Sequence, residues 1–254
     1  MSSVTLIAVP GVPDIQPGDD LATIIADVIA PLRPVDGDVL CVAQKIVSKA
    51  EGCLIALTTV TPSEQALDLA RELDKDPREV QVVLDESRRI VRKFKNPGAR
   101  EGTLICEHRL GFVSANAAVD KSNLGLEDAV LTLPRDPDAS CRALAARLAE
   151  RFGATVGVVI TDTFGRPWRI GQVNVAIGLA GVPATLREQG NTDAWGRVLR
   201  VTEPALADEI AAATGLVVRK NARTPLVLVR GLDWARTDSR ATDIIRTEQE
   251  DMFR

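Results

Sequence analysis

The chain has 254 residues, 45% of them apolar and 26% charged, with 31 basic against 35 acidic side chains. That length and balance describe a folded globular protein with an ample core, and the absence of repeats, low-complexity tracts or composition shifts reads as one domain over 1–254. A net charge of −4 with 3% aromatic content leaves neither a basic footprint nor stacking platforms for nucleic acid, so none is expected as a partner.

Residues 1–10 carry no basic n-region, and their apolar run is too short for a signal peptide or a membrane span, so they read as a buried strand and no membrane partner is expected. Residues 39–47 read as a second strand. Thr61-Pro62-Ser63-Glu64 has the form of a capping box with proline at the first helical position, and Ala66, Leu69, Ala70 and Leu73 share one face of the helix that follows. Asp76-Pro77-Arg78-Glu79 repeats the device, and Val80, Val83, Leu84, Ser87 and Val91 are predicted to continue one helical stripe, giving a helix pair. After a turn at Asn96-Pro97-Gly98, residues 103–113 are predicted as a strand. A helix over 138–152 turns Cys141, Leu144, Ala145, Leu148 and Phe152 inward, and Gly153 ends it.

Residues 154–160 form an apolar, β-branched run that predicts a buried strand ending at Asp162, with Phe164-Gly165-Arg166-Pro167 as a turn. A further helix begins near Thr202, has Pro204 in its first turn and stops at Gly215. A strand over 226–229 closes on Gly231, and 243–254 is a polar surface tail. Several strand pairs lie too close in sequence for helical crossovers. The predicted class is therefore α/β with mixed, largely antiparallel sheets and flanking helices rather than a simple doubly wound fold.

The chemistry available is restricted. His108 is the only histidine and there is no tyrosine, which argues against histidine triads and histidine-rich metal sites; His108 itself reads as structural or rim-exposed. Cys41, Cys53, Cys106 and Cys141 form no C-x-x-C pair and read as reduced thiols of a cytoplasmic protein. Asp120, in Asn116-Ala117-Ala118-Val119-Asp120-Lys121-Ser122-Asn123, and Asp162, in Thr161-Asp162-Thr163, are hard oxygen donors at expected loop positions. Such carboxylates suit Mg²⁺ or Mn²⁺ bound together with phosphate. No G-x-x-x-x-G-K-[ST] or G-x-G-x-x-G motif is present, so a nucleotide site must be built differently. Lys45 and Lys49, four apart, and the loop Gly11-Val12-Pro13-Asp14-Ile15 are the weaker candidates, since such a lysine pair alone is usually a solvated face and the loop alone is an equally weak signal.

These segments, with Gly18-Asp19-Asp20-Leu21, Asp36-Gly37-Asp38-Val39-Leu40, Leu133-Pro134-Arg135-Asp136-Pro137-Asp138 and Arg230-Gly231-Leu232 in the same order, resemble the coenzyme F420-0:L-glutamate ligase family over nearly the whole chain. The resemblance implies a family-specific fold in an intertwined homodimer. It also implies a GTP-dependent reaction that joins the lactyl-phosphate carboxylate of F420-0 to the amine of L-glutamate through an acyl phosphate, with further γ-linked glutamates added by some members. Mg²⁺ or Mn²⁺, with K⁺, would serve as cofactors, and GTP, F420-0 and L-glutamate as substrates. Carried over by motif, Asp120, Asp162 and Thr163 would be metal ligands; Val12, Pro13, Asp14, Ile15, Gln44, Lys45, Lys49 and Asn123 would contact the nucleotide. Asp120, Asp162 and Lys49 would carry the catalysis.

The sequence departs from the family pattern at 217–224, which is basic and has no glycine where a glycine-containing loop serves the nucleotide and a second metal. That puts the two-metal mechanism in question, and Arg219 is assigned no role. Residues 185–197 keep the family's Arg/Gly-rich segment only loosely, so a related ligase with another acid or amino acid stands as one alternative, and the altered 217–224 loop leaves a non-catalytic GTP-binding homologue as another. The chain ends where some relatives continue into a nitroreductase-like domain, and that second activity is expected to be absent.

Overall fold

The computed structural model describes residues 3–122, 124–218, 223–235 and 237–251. In chain order the elements are β1 (Thr5–Val9), α1 (Leu21–Ile29), β2 (Val39–Ala43), α2 (Gln44–Ala50), β3 (Leu54–Ala56), α3 (Glu64–Leu73), α4 (Pro77–Asp85), β4 (Ser87–Phe94), β5 (Thr103–His108), β6 (Val113–Ala115), β7 (Ala129–Leu131), α5 (Pro137–Phe152), β8 (Gly157–Arg166), β9 (Arg169–Ala180), α6 (Leu206–Thr214) and β10 (Leu226–Arg230). The central sheet runs β1-β10-β2-β8-β9, beside a two-stranded sheet β3-β7 and a three-stranded sheet β4-β5-β6. Among the described strands only β2 and β8 pair in parallel. The architecture is therefore mixed α/β with largely antiparallel sheets, as the sequence predicts. No described helix is long and apolar enough to cross a membrane.

Strand alternation divides the central sheet into two buried faces. Leu40, Val42, Val158, Ile160 and Leu228 pack beneath Ile25 and Ile29 of α1, Ile46 and Val47 of α2, and Leu144 and Leu148 of α5. Cys41, Val159, Leu179, Val227 and Val229 face Leu206, Ile210 and Ala211 of α6. Because both faces are covered, β2 and β10 read as unbroken apolar runs. Each large side chain so buried contributes about 1.5–3 kcal/mol. A separate cluster joins α3 and α4 to β5 through Leu69, Leu73, Val80, Val83 and Leu104.

Several element boundaries differ from expectation. The strand over 39–47 stops at Ala43, and Gln44 to Ala50 wind into α2, where Ser48 Oγ donates to Gln44 Oε1 at 2.8 Å one turn back. The cap of α3 is Ser63, which accepts from Ala66 N; Thr61 and Pro62 lie before the helix. Asp76 caps α4 with Pro77 in its first turn, but its side chain accepts from Arg78 N, and Glu79 turns elsewhere. The helical stripe does not reach Val91: α4 ends at Asp85, and Ser87 to Phe94 alternate as β4. Residues 103–113 are two strands folded back at Leu110-Gly111. The turn expected at 164–167 lies at Pro167-Trp168, because β8 continues to Arg166 and pairs with β9, a strand whose polar first half concealed it. Near Thr202 the chain is still irregular, and α6 starts only at Leu206. The helix over 138–152 is confirmed as α5, capped by Asp136 and ended by Gly153 at φ 65°.

Candidate active site

Register brings the candidate residues to one edge of the central sheet. Val9 pairs with Leu226, Leu226 with Val42, and Ala43 with Thr161. The residues that follow β1 and β2, and Asp162 just past that level on β8, therefore emerge side by side. Gly11 to Ile15 leave β1, Gln44 opens α2, and Asp162 follows Thr161. The outer ends of parallel strands are where α/β sheets admit ligands. Ala43 N donates to Pro225 O at 2.8 Å, tying the start of β10 into the same edge.

Lys45 and Lys49 project from one face of α2, four residues apart. Lys45 Nζ forms an ion pair with Asp120 Oδ2 and lies 3.2 Å from Ser122 Oγ. Lys49 Nζ donates to Asp14 Oδ1 at 2.9 Å. Gln44 is buried, and the Ser48 hydroxyl occupies its carbonyl oxygen, which orients the amide NH₂ as the group it can offer a ligand. In the β1 loop, Val12 packs on the core and Ile15 is buried, while Pro13 and Asp14 point outward.

Asp120 is held by an unusual backbone. Asn116, Ala117 and Ala118 have φ values of 50°, 48° and 57°, three consecutive left-handed residues that cost roughly 1–2 kcal/mol each. Burial of Ala117 and Ala118 offsets that strain, and Leu104 N donates to the Asn116 side chain. Asp120 then exchanges backbone hydrogen bonds with Leu131 at 3.0 and 2.9 Å, and its Oδ1 accepts from Ser122 N at 2.7 Å. Burial pushes the Asp120 carboxyl up, but Lys45 and the Ser122 hydrogen bonds outweigh it and hold the group below the usual carboxylate range. Asp14 is also held low, chiefly by its bond to Lys49, with the charge of Arg223 contributing.

Asp162 lies inside β8, not in a loop. The alternation that sends Val158, Ile160 and Phe164 to the α1-α2-α5 face places Asp162 on that face too. Thr163 faces α6, where its hydroxyl donates to Asn174 Oδ1 at 3.0 Å and the Asn174 amide reaches Thr214 Oγ1 at 3.0 Å. A cleft of 260 Å³ opens at β9, walled by Phe112, Val113, Phe164, Val175 and Ile245 and bordered by Asp208. Val175 is the cross-strand neighbour of Asp162.

The family model described as F420-0:gamma-glutamyl ligase matches residues 11–231, which takes in every candidate ligand from Val12 to Thr163. The chain belongs to the F420-0:gamma-glutamyl ligase family. Proteins named coenzyme F420:L-glutamate ligase are similar to it almost end to end. That of Methanopyrus kandleri is 46% identical over 245 residues, covering 94% of this chain and 93% of the relative. That of Methanothermobacter thermautotrophicus is 40% identical over 257 residues, covering 99% of each, and that of Methanocaldococcus jannaschii 37% over 231 residues, covering 91% and 90%.

For this member of the F420-0:gamma-glutamyl ligase family, the geometry sorts the candidate ligands. Gln44, Lys45 and Lys49 stand on α2, and the two lysines pair with Asp120 and Asp14, whereas the Thr163 side chain lies on the opposite face of the sheet from Asp162. Asn123 and Arg219 lie outside the described residues. Among the described residues no three His, Cys, Asp or Glu side chains form a cage for a metal. Asp120, paired with Lys45 of α2, and Asp162, next to Thr161 at the end of the β2-β8 pairing, are hard oxygen donors of the kind Mg²⁺ takes together with water and phosphate oxygens. His108 is structural: buried, it accepts from Leu110 N at Nδ1, so its Nε2–H donates to Glu86 at 3.0 Å. All four cysteines are free thiols, and burial pushes Cys41 up to about 12.

Proposed function

We propose that this chain is a GTP-dependent ligase that joins the lactyl-phosphate carboxylate of coenzyme F420-0 to the amine of L-glutamate. The observation that carries the reading is the convergence of Lys45, Lys49, Asp120 and Asp162 on one sheet edge in a chain similar throughout to proteins named coenzyme F420:L-glutamate ligase. A carboxylate is a poor acyl donor. In the proposed sequence a carboxylate oxygen attacks the γ-phosphorus, GDP leaves, and the acyl phosphate forms. The glutamate nitrogen then attacks the acyl carbon, loses a proton, and phosphate departs with the former carboxylate oxygen.

In this scheme Lys45 and Lys49 supply positive charge to the phosphates, and the Gln44 amide donates to them. Val12, Pro13, Asp14, Ile15 and Asn123 form the rest of the nucleotide contacts. Asp120, Asp162 and Thr163 would hold Mg²⁺ or Mn²⁺, with Thr163 offering its backbone because its hydroxyl is engaged by Asn174. When bound, such an ion supplies charge neutralisation on the transferring phosphoryl group. K⁺ is proposed as an auxiliary cofactor. The cleft lined by Val175, the cross-strand neighbour of Asp162, is the space proposed for the acceptor. Further γ-linked glutamates would be added by the same chemistry at the new terminus.

We further propose a cytoplasmic, intertwined homodimer. Its support is apolar surface at the β8-β9 turn, where Trp168 is 83% and Ile170 101% exposed. Incubating purified protein with F420-0, L-glutamate, Mg²⁺ or Mn²⁺ and either GTP or ATP, with products resolved by mass, tests the reaction. Glutamyl-extended F420 with GTP is the expected result; nucleotide binding without glutamylation would overturn it.

A further inference from the structure

Glu79 lies on α4, away from the nucleotide-facing lysines, and its side chain is only 8% exposed. One carboxylate oxygen pairs with Lys121 Nζ; the other, Oε2, is buried with no hydrogen-bond partner among the described residues. A carboxylate kept in that state works against folding, because its lost hydration is only half replaced. Its neighbours Val80, Val82 and Val83 are buried apolar side chains, so an apolar residue would suit the position better. A locally unfavourable group that persists points to a demand from elsewhere.

That demand lies one residue from Lys121. Asp120 is fixed upstream by the left-handed turn at 116–118 and its backbone bonds to Leu131, and laterally by Lys45. Downstream, the ion pair from Lys121 to Glu79 ties the chain to α4, a different element from the one that carries Lys45. We propose that Glu79 is a positioning residue which, by holding Lys121, fixes the orientation of the Asp120 carboxylate for the divalent ion that accompanies the nucleotide. This rests on the reading of Asp120 as a ligand of that ion.

The test compares Glu79→Leu, Lys121→Met, the double variant and Asp120→Asn with the wild-type protein. Binding of Mn²⁺ alone is followed by the loss of the free-ion electron paramagnetic resonance signal, alongside Tm. Glu79→Leu and Lys121→Met are each expected to weaken Mn²⁺ binding by about tenfold or more, as groups that orient metal ligands do. The double variant should be no weaker than either single one, and Tm of Glu79→Leu should hold or rise, since Lys121 is half-exposed and can be solvated. A purely structural role would lower Tm and leave Mn²⁺ affinity alone. Should Glu79→Leu fail to fold, Lys121→Met at the surface still reads the pair. Wild-type affinity in both singles with a defect in Asp120→Asn overturns this proposal by itself. Wild-type affinity in Asp120→Asn overturns the assignment of Asp120 and the proposal with it.

Discussion

The two lysines on one face of α2 reach aspartates that the fold treats in opposite ways: Asp120 sits on a strained, half-buried, multiply bonded corner, and Asp14 on an outward loop with its side chain 75% exposed. Both ion pairs bridge distant parts of the chain. Only the first is set by backbone geometry that a flexible side chain could not reproduce. Preorganisation of this kind matters where charge develops in a transition state, whereas a solvated loop contact suits a ligand that enters and leaves. On the proposed reading, catalysis would belong to the Asp120 corner and nucleotide capture to the Asp14 loop.

The largest effect that would test this division is Asp120→Asn, expected to cut kcat at least ~100-fold, about 3 kcal/mol of transition-state stabilisation, with the fold intact by circular dichroism. Lys45→Met should follow with a loss of about 10–100-fold in kcat/KM, since it removes a cation and frees the carboxylate it holds. Asp14→Asn should be mild: an exposed pair contributes at most about 1 kcal/mol, so the change is up to ~5-fold and falls on KM for the nucleotide. Asp14→Asn damaging kcat as severely as Asp120→Asn would break the comparison.

Acid should act on the two regions through the same sign. Both carboxyls are held below their ordinary values in the folded protein, so each contributes stability that is present above the unfolded pKa and lost as pH falls through the depressed folded one. Because the Lys45 pair is the more sheltered, chemical denaturation between pH 5 and pH 2 should show the smaller acid loss in Asp120→Asn than in wild type, with little difference for Asp14→Asn. The smallest effect is expected far from either aspartate. Burial raises Asp208, whose Oδ1 accepts from Ala176 N, so it costs stability as pH rises through its folded value. Asp208→Asn should raise Tm at pH 7 and lose that advantage near pH 3.

How far the sequence revealed this arrangement depended on whether its signals were local. Helix α5 was legible because Asp136-Pro137 and Gly153 mark its ends unambiguously. In contrast, β2 runs into α2 with no breaking residue, and Ile46 and Val47 suit a strand as well as a helix. Val83, Ser87 and Val91 fit a four-residue period although only the first is helical. Hard donors at Asp120 and Asp162 could be picked out by chemistry alone. The placement of Asp162 next to the end of β2 depends on the parallel register of β2 with β8, strands more than a hundred residues apart, and that of Asp120 on its pairing with Leu131 and Lys45; no local pattern encodes either. Glu79 illustrates the same limit, since Asp76-Pro77-Arg78-Glu79 has the form of a capping box, and only the fold reveals its partner Lys121.

The most direct measurement is isotope transfer from the acceptor. F420-0 labelled with ¹⁸O in its carboxylate would be turned over with GTP and L-glutamate, and the released phosphate analysed by mass or ³¹P resonance. Phosphoryl transfer at the Asp120 corner predicts one ¹⁸O in the phosphate released with the first glutamate added, and both product and label should be lost together in Asp120→Asn. Singly glutamylated product accompanied only by unlabelled phosphate would contradict the account.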